Sequence, residues 1–227
     1  MQMNVSHYQG LRCRTAIKLR AEICTFIPKN LIMTRRTHTA SSRKQRLFVG
    51  LKFTLHEEIQ PAIIDLAHAL ADTKVRFRLS PPENLHLTLK FLGSVLESDL
   101  RTIDSIVSQA ATRHRAMQLH CAGIGFFKNS IWVGIKENLL LSALTLELDQ
   151  AFVPLGIYPE QKAHVPHITV ARFGTGAKIV LAPFREKYVS RDWGLLPVSG
   201  MILYKSETLP EGARYSIINS YEFSSKN

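Results

Sequence analysis

The stretch "NLHLTLKF", residues 84–91, sets Leu85, Leu87, Leu89 and Phe91 in alternation with His86, Thr88 and Lys90. Such alternation predicts a strand with one oily face and one polar face. The polar face carries a histidine and a threonine where Lys, Glu or Ser would serve for solubility. Residues 167–173, "HITVARF", open the same way: His, apolar, Thr, apolar. His86 and His167 lie 81 residues apart, each on a strand after a helix-containing segment. The repeat predicts two related lobes, each lending one His-Thr strand to a shared cleft.

The chain around these strands reads as an alternation of elements. "RLFVGLKF" (46–53) is an apolar run of β formers, and residues 56–73 carry Ile59, Ala62, Ile63, Leu66, Ala67 and Leu70 on one helical stripe. A Pro-Pro boundary at 81–82 opens the strand 84–92, and Gly93 is expected to end it. Residues 97–114 predict a second amphipathic helix. Strands follow at 117–126 and 130–136 with "FKN" as their turn, then a helix over 139–153 with Leu140, Leu144 and Leu148 at spacing four. After the strand 167–173 come a short helical stretch around 183–189 and two strands near 195–206 and 213–223, joined by "LPEG" (209–212). Hairpin-like strand pairs mixed with helices indicate an α+β (α/β) sheet protein rather than a strict βαβ array.

At 227 residues, 45% hydrophobic and 21% charged, the composition is that of a globular protein with a sizeable core. No run approaches the roughly 18 apolar residues of a membrane span. Cys13, Cys24 and Cys121 are odd in number and widely spaced, which points to reduced thiols and a cytoplasmic setting. The formal charge of +11 is concentrated in residues 1–45, where nine Lys/Arg face one acid, Glu22. The remainder, 46–227, is only mildly cationic, as suits a nucleic-acid substrate. Residues 1–45 read as a basic, poorly ordered leader, dispensable to the domain 46–227. Competing readings are a non-native upstream start before Met33, a basic arm on RNA, and an organelle-targeting leader.

Chemistry follows from the residue types. His86 and Thr88 share one face of their strand, and His167 and Thr169 share one face of theirs. An imidazole titrates near neutrality, so two facing histidines make an acid–base pair with no metal required. Two threonine hydroxyls, one from each side, suit a group with two non-bridging oxygens, such as a phosphodiester. One His-x-Thr strand alone reads as a structural histidine; two with apolar neighbours are harder to dismiss.

"PENLHLTLKFLG" (82–93) and "PHITVARF" (166–173) resemble the paired signatures of the 2H phosphoesterase superfamily, and within it the RNA 2′,3′-cyclic phosphodiesterase (2′-5′ RNA ligase, LigT-like) group. The resemblance runs from about Arg46 to Phe223, with "RLFVGL", "SIWVGI" and "YKSETLPEGARYSII" (204–218) matching the first strand, the central strand and the closing hairpin. It implies a bilobal, pseudo-two-fold fold with an antiparallel sheet in each lobe, flanking helices and a cleft between. It implies metal-independent, cofactor-free hydrolysis of RNA 2′,3′-cyclic phosphate ends, tRNA fragments among them, to 2′-phosphomonoesters. In that assignment His86 donates a proton to the 3′-oxygen, His167 activates water, and Thr88 and Thr169 bind phosphate. Reversible 2′-5′ ligation belongs to the family too. A monomer is the default.

Other residues are weighed singly. Arg172 fills the family's basic position, yet strict alternation puts it opposite His167 and Thr169, so the strand must end or bulge for it to reach phosphate. Lys90 shares a face with His86 and Thr88 and reads as a solvated lysine at the cleft rim. Arg76 and Arg78 are candidates to follow an RNA backbone. His164 invites a metal reading but lacks a third ligand. Trp132, Phe127, Tyr204 and Tyr215 are candidates for base stacking, with core packing the better prior for each. Two other functions compete: a 2H phosphodiesterase acting on small cyclic nucleotides or 2′-5′-linked oligonucleotides, and a non-catalytic RNA-binding module.

Overall fold

The molecule is described by a computed structural model over residues 43–52, 60–71, 76–174, 181–210 and 212–225, all within the unit Ala40–Asn227. Residues 1–42, and with them most of the expected leader, lie outside the described residues, as do the predicted ends of the first helix at 56–59 and 72–73.

Nine described strands form one sheet. In chain order they are β1 (Lys44–Lys52), β2 (Phe77–Leu79), β3 (His86–Leu96), β4 (Met117–Phe126), β5 (Ser130–Ile135), β6 (His167–Phe173), β7 (Asp192–Val198), β8 (Gly200–Leu209) and β9 (Gly212–Glu222). Four helices accompany them among the described residues: α1 (Gln60–Ala71), α2 (Leu100–Arg113), α3 (Leu139–Ala151) and α4 (Ala182–Tyr188).

The spatial order is β7-β4-β5-β6-β3-β1-β8-β9, with β2 added to β6, and every strand pair is antiparallel. β1 lies between β3 and β8 and buries Leu47, Phe48, Val49 and Leu51 on both faces, which explains its unbroken apolar run. At the middle, β3 and β6 share a single residue pair, Leu87 with Ile168. This seam divides the sheet into two halves of matching order, β3-β1-β8-β9 and β6-β5-β4-β7. α2 and α3 pack on the first half, and α1 and α4 on the second. The expected bilobal, pseudo-symmetric α+β architecture is thus present, with the two lobe sheets joined edge to edge.

The helical stripes fall where their spacing predicts. α2 buries Ile103, Val107, Ala110 and Ala111; α3 buries Leu141, Leu144 and Leu148 and starts at Asn138, whose side chain accepts from the Leu141 N–H at 3.0 Å. Leu140, expected on the stripe, packs only partly against the core. α2 and α3 are both shorter than their periodicity suggests. Glu97–Asp99 is a 3₁₀ turn ahead of α2, and Val153–Leu155 is another after α3, where Pro154 cannot extend the helix.

Two strand expectations need correcting. Gly93 does not end its strand: at φ 72 it bends β3, which continues to Leu96 past a register shift between Leu47 and Phe48 of β1. The single strand expected at 195–206 is two, broken at Ser199. β7 pairs only with β4, an edge place that tolerates Pro197, and β8 then joins β1 and β9 in the other half. The crossing is tight, since a Cβ on Gly200 would stand 2.3 Å from the Tyr221 carbonyl. Ser199 thus links the outermost strand of one half to the other half, and the sheet curls until its ends approach. Among the described residues no helix is long and apolar enough to cross a membrane.

Candidate active site

The two motif strands share one burial sequence. From His86 to Leu92 and from His167 to Phe173 the residues run half-buried, buried, half-buried, buried, buried, exposed, buried. Two consecutive buried positions break simple alternation, and the register shows why. β1 shifts against β3 between Val49 and Gly50, passing over Leu89; β5 shifts against β6 between Ile131 and Trp132, passing over Val170. Each strand therefore carries a bulge three residues after its histidine, which turns the side chains that follow it to the opposite face.

That reversal settles three placements. Arg172 lines the cleft with His167 and Thr169, and the bulge that this position requires is present. Phe91, expected on the oily face, is instead 52% exposed and lines the cleft. Lys90 is not a solvated rim residue: it is 4% exposed, and its Nζ donates to Asp149 Oδ1 at 2.5 Å and to the Tyr158 carbonyl at 2.8 Å.

His86, Thr88, His167, Thr169 and Arg172 line one cleft of about 650 Å³. Both imidazoles are held alike. His86 Nδ1 lies 2.7 Å from the Asn84 carbonyl and His167 Nδ1 2.7 Å from the Val165 carbonyl, each two residues upstream. A carbonyl only accepts, so Nδ1 carries the proton in both rings and Nε2 is left for the cleft. Burial lowers both pKa values from the usual imidazole range, against the raising effect of these carbonyl bonds. Positive charge adds to the lowering: His167 and Arg172 act on His86, and His164 and Arg172 act on His167. A bound anion would oppose that charge and draw protons back.

Aromatic rings wall each histidine. His86 sits between Phe48 (ring centroids 4.8 Å) and the edge-on ring of Tyr215 (4.9 Å), with Tyr204 at 5.8 Å. His167 is flanked edge-on by Phe127 at 4.9 Å and by Trp132 at 5.8 Å. Of the four proposed stacking residues only Tyr215 lines the cleft. Tyr204 is buried against Phe48, its phenol pushed up to about 12 by burial. Trp132 covers Gly125, where a Cβ would stand 2.0 Å from its ring.

The remaining candidates separate. Arg78 lines the cleft across Gly212, where a Cβ would meet its guanidinium at 2.1 Å, whereas the Arg76 side chain is exposed outside the lining. His164 Nε2 bonds the Thr88 carbonyl at 3.0 Å, which ties it to the opposite motif strand. Among the cleft residues that the sequence reading does not single out are Arg46, Phe91 and Arg214. Arg46 and Arg214 lie within the stretches "RLFVGL" and "GARYSII", so the only signal is a basic residue near the start of a recognisable strand.

Residues 53–132 match the LigT like Phosphoesterase family model. An RNA 2′,3′-cyclic phosphodiesterase of Methanothermobacter thermautotrophicus is 35% identical over 179 residues, covering 76% of this chain and 96% of that protein. The chain belongs to the LigT-like phosphoesterase family. It is an enzyme, a phosphodiesterase. The RNA 2′,3′-cyclic phosphodiesterase of Methanocaldococcus jannaschii is 32% identical over 150 residues, covering 63% of this chain and 83% of that protein. Solved structures share the fold. The protein TT0787 of Thermus thermophilus superposes with a TM-score of 0.65 at 24% identity, over 80% of this chain and all of that one. E. coli LigT complexed with 3′-AMP gives 0.63 at 23% identity, over 80% and 99%.

Proposed function

We propose that this phosphodiesterase opens RNA 2′,3′-cyclic phosphate ends to 2′-phosphomonoesters by acid–base catalysis between His167 and His86. The observation that carries the reading is the matched pair of Nδ1–carbonyl locks, which offer two Nε2 atoms and two threonine hydroxyls to one cleft. His167 Nε2 takes a proton from water as the water oxygen bonds to phosphorus. The P–O3′ bond breaks in line, and His86 gives its proton to the departing 3′-oxygen. Thr88, Thr169 and Arg172 bind the non-bridging oxygens, where charge develops. Both rings prefer the neutral form in the free enzyme, so the anionic phosphate itself supplies the field that protonates the acid.

The RNA part of the reading rests on the wider lining and on the relatives. Arg46, Arg78 and Arg214 add guanidinium groups to Arg172, against Glu83 as the carboxylate of the lining, which favours a polyanion over a lone small diester. The relatives named above are RNA 2′,3′-cyclic phosphodiesterases. If a 5′-hydroxyl takes the place of water, the same bond changes join two RNA ends 2′-5′, and this is the reversible side activity. The catalytic unit is the domain 46–227, with residues 1–45 dispensable.

Product analysis tests the whole. An oligonucleotide with a 2′,3′-cyclic end should yield a 2′-phosphate, in EDTA as without it, and faster than cyclic mononucleotides. A 3′-phosphate product would overturn the assignment of the leaving oxygen. Faster turnover of the mononucleotides would favour the small-diester alternative.

A further inference from the structure

Lys90 is the only lysine or arginine on β3, and the acid–base chemistry leaves it unused. It stands four residues after His86 and two after Thr88, buried between Asp149 of α3 and the Tyr158 carbonyl. A buried ammonium is costly unless its partners are fixed in place. The matching position on β6 is Ala171, buried and uncharged, so the duplicated strand geometry does not itself call for a lysine.

What Lys90 holds is the segment from Ile157 to Pro166. This segment runs exposed from Tyr158 to Val165 and leads directly into His167. It meets β3 at two points: Lys90 Nζ on the Tyr158 carbonyl, and His164 Nε2 on the Thr88 carbonyl. It also supplies the Val165 carbonyl that accepts from His167 Nδ1 at 2.7 Å. The strand of one histidine therefore anchors the segment that orients the other.

We propose that Lys90 is a positioning residue, which tethers residues 157–166 to β3 so that the Val165 carbonyl stays on His167 Nδ1 and Nε2 stays in the cleft. The inference rests on His167 acting as the base. Lys90 touches no reacting atom; it acts through a carbonyl and keeps the two half-sites in step.

The test separates positioning from stability. In Lys90→Met/Asp149→Leu no buried charge is orphaned, and such apolar replacement of an ion pair is commonly neutral or stabilising. A thermal midpoint near wild type is expected, with kcat on a cyclic-ended RNA down about tenfold or more and KM within about twofold. The ¹⁵N spectrum of the ligand-free variant should show a mixture of His167 tautomers in place of one Nδ1–H form. Lys90→Gln, uncharged and shorter, is read the same way should the double variant not fold. Asp149→Asn keeps an acceptor and the Tyr158 bond, and should hold both kcat and the single tautomer. Wild-type kcat with a single tautomer in the double variant would overturn the proposal and leave Lys90 a packing residue. A changed tautomer in a protein whose wild type opens no cyclic ends would instead overturn the catalytic reading and leave the tether standing.

Discussion

β3 and β6 are near copies for four residues and then diverge. His-apolar-Thr-apolar, the carbonyl lock on Nδ1 and the bulge are common to both. Past the bulge, β3 presents a buried Lys90 and an exposed Phe91 where β6 presents a buried Ala171 and an exposed Arg172. The shared part places two imidazoles and two hydroxyls about one cleft. The unshared part gives the cleft a direction, with an aromatic ring on one wall and a guanidinium on the other. A symmetric clamp cannot tell the two ester oxygens of a cyclic phosphate apart; an asymmetric lining can.

The comparison breaks most sharply at the histidines. His86→Ala and His167→Ala should each lower kcat by at least about 10²-fold, since acid and base are both needed at one phosphorus. Near-wild-type turnover by either variant would mean that one half-site suffices. The next test separates the walls. Arg172→Met should cost roughly 10- to 100-fold in kcat/KM by removing charge-assisted bonds to phosphate. Phe91→Ala should leave kcat nearly unchanged and raise KM for RNA roughly tenfold by removing a stacking surface. Equal effects of the two on kcat would erase the distinction between the walls. A smaller effect is structural: Gly125→Ala pushes on the Trp132 ring beside His167 and should lower stability by about 1–3 kcal/mol in denaturant unfolding.

The subtlest effect is on pH dependence. The base must be neutral, so the rate falls as pH drops below its pKa; the acid must be protonated, so the rate falls as pH rises above its own. Both pKa values are lowered in the free enzyme, chiefly by burial, so the bell of kcat/KM should be centred on the acid side of an ordinary imidazole. In the complex the phosphate charge raises both, and the kcat bell should lie at higher pH. Coincident bells would show that the phosphate does not retune the pair.

Much of this was written in the strand periodicity. Most elements lie within a few residues of their periodic runs, and the four motif residues meet where period two and the repeat put them. Where the reading missed, it assumed that period two continues. A bulge leaves no composition signature, so Lys90, Phe91 and Arg172 could not be assigned faces from spacing alone, and the need for a bulge at Arg172 follows only from its role. The break at Ser199 is hidden for a related reason: β7 and β8 are each plausible continuations of the other, and only their different neighbours separate them. Arg46 and Arg214 are distant in the chain and become neighbours of the cleft through pairing.

A seam of one residue pair between β3 and β6 has the look of a hinge, but the path of the chain works against one. The first half of the sheet takes β1 and β3 from early in the chain and β8 and β9 from its end, while β4 to β7 build the second half between them. The first half is built from two separated pieces of the polypeptide, the second takes β2 from ahead of β3, and the two halves are laced together by repeated crossings, the shortest of them through Ser199. Cutting the chain anywhere between α3 and β6 would leave two fragments that each need the other for a finished sheet. Lacing of this kind suits a cleft that works as a mould rather than a jaw.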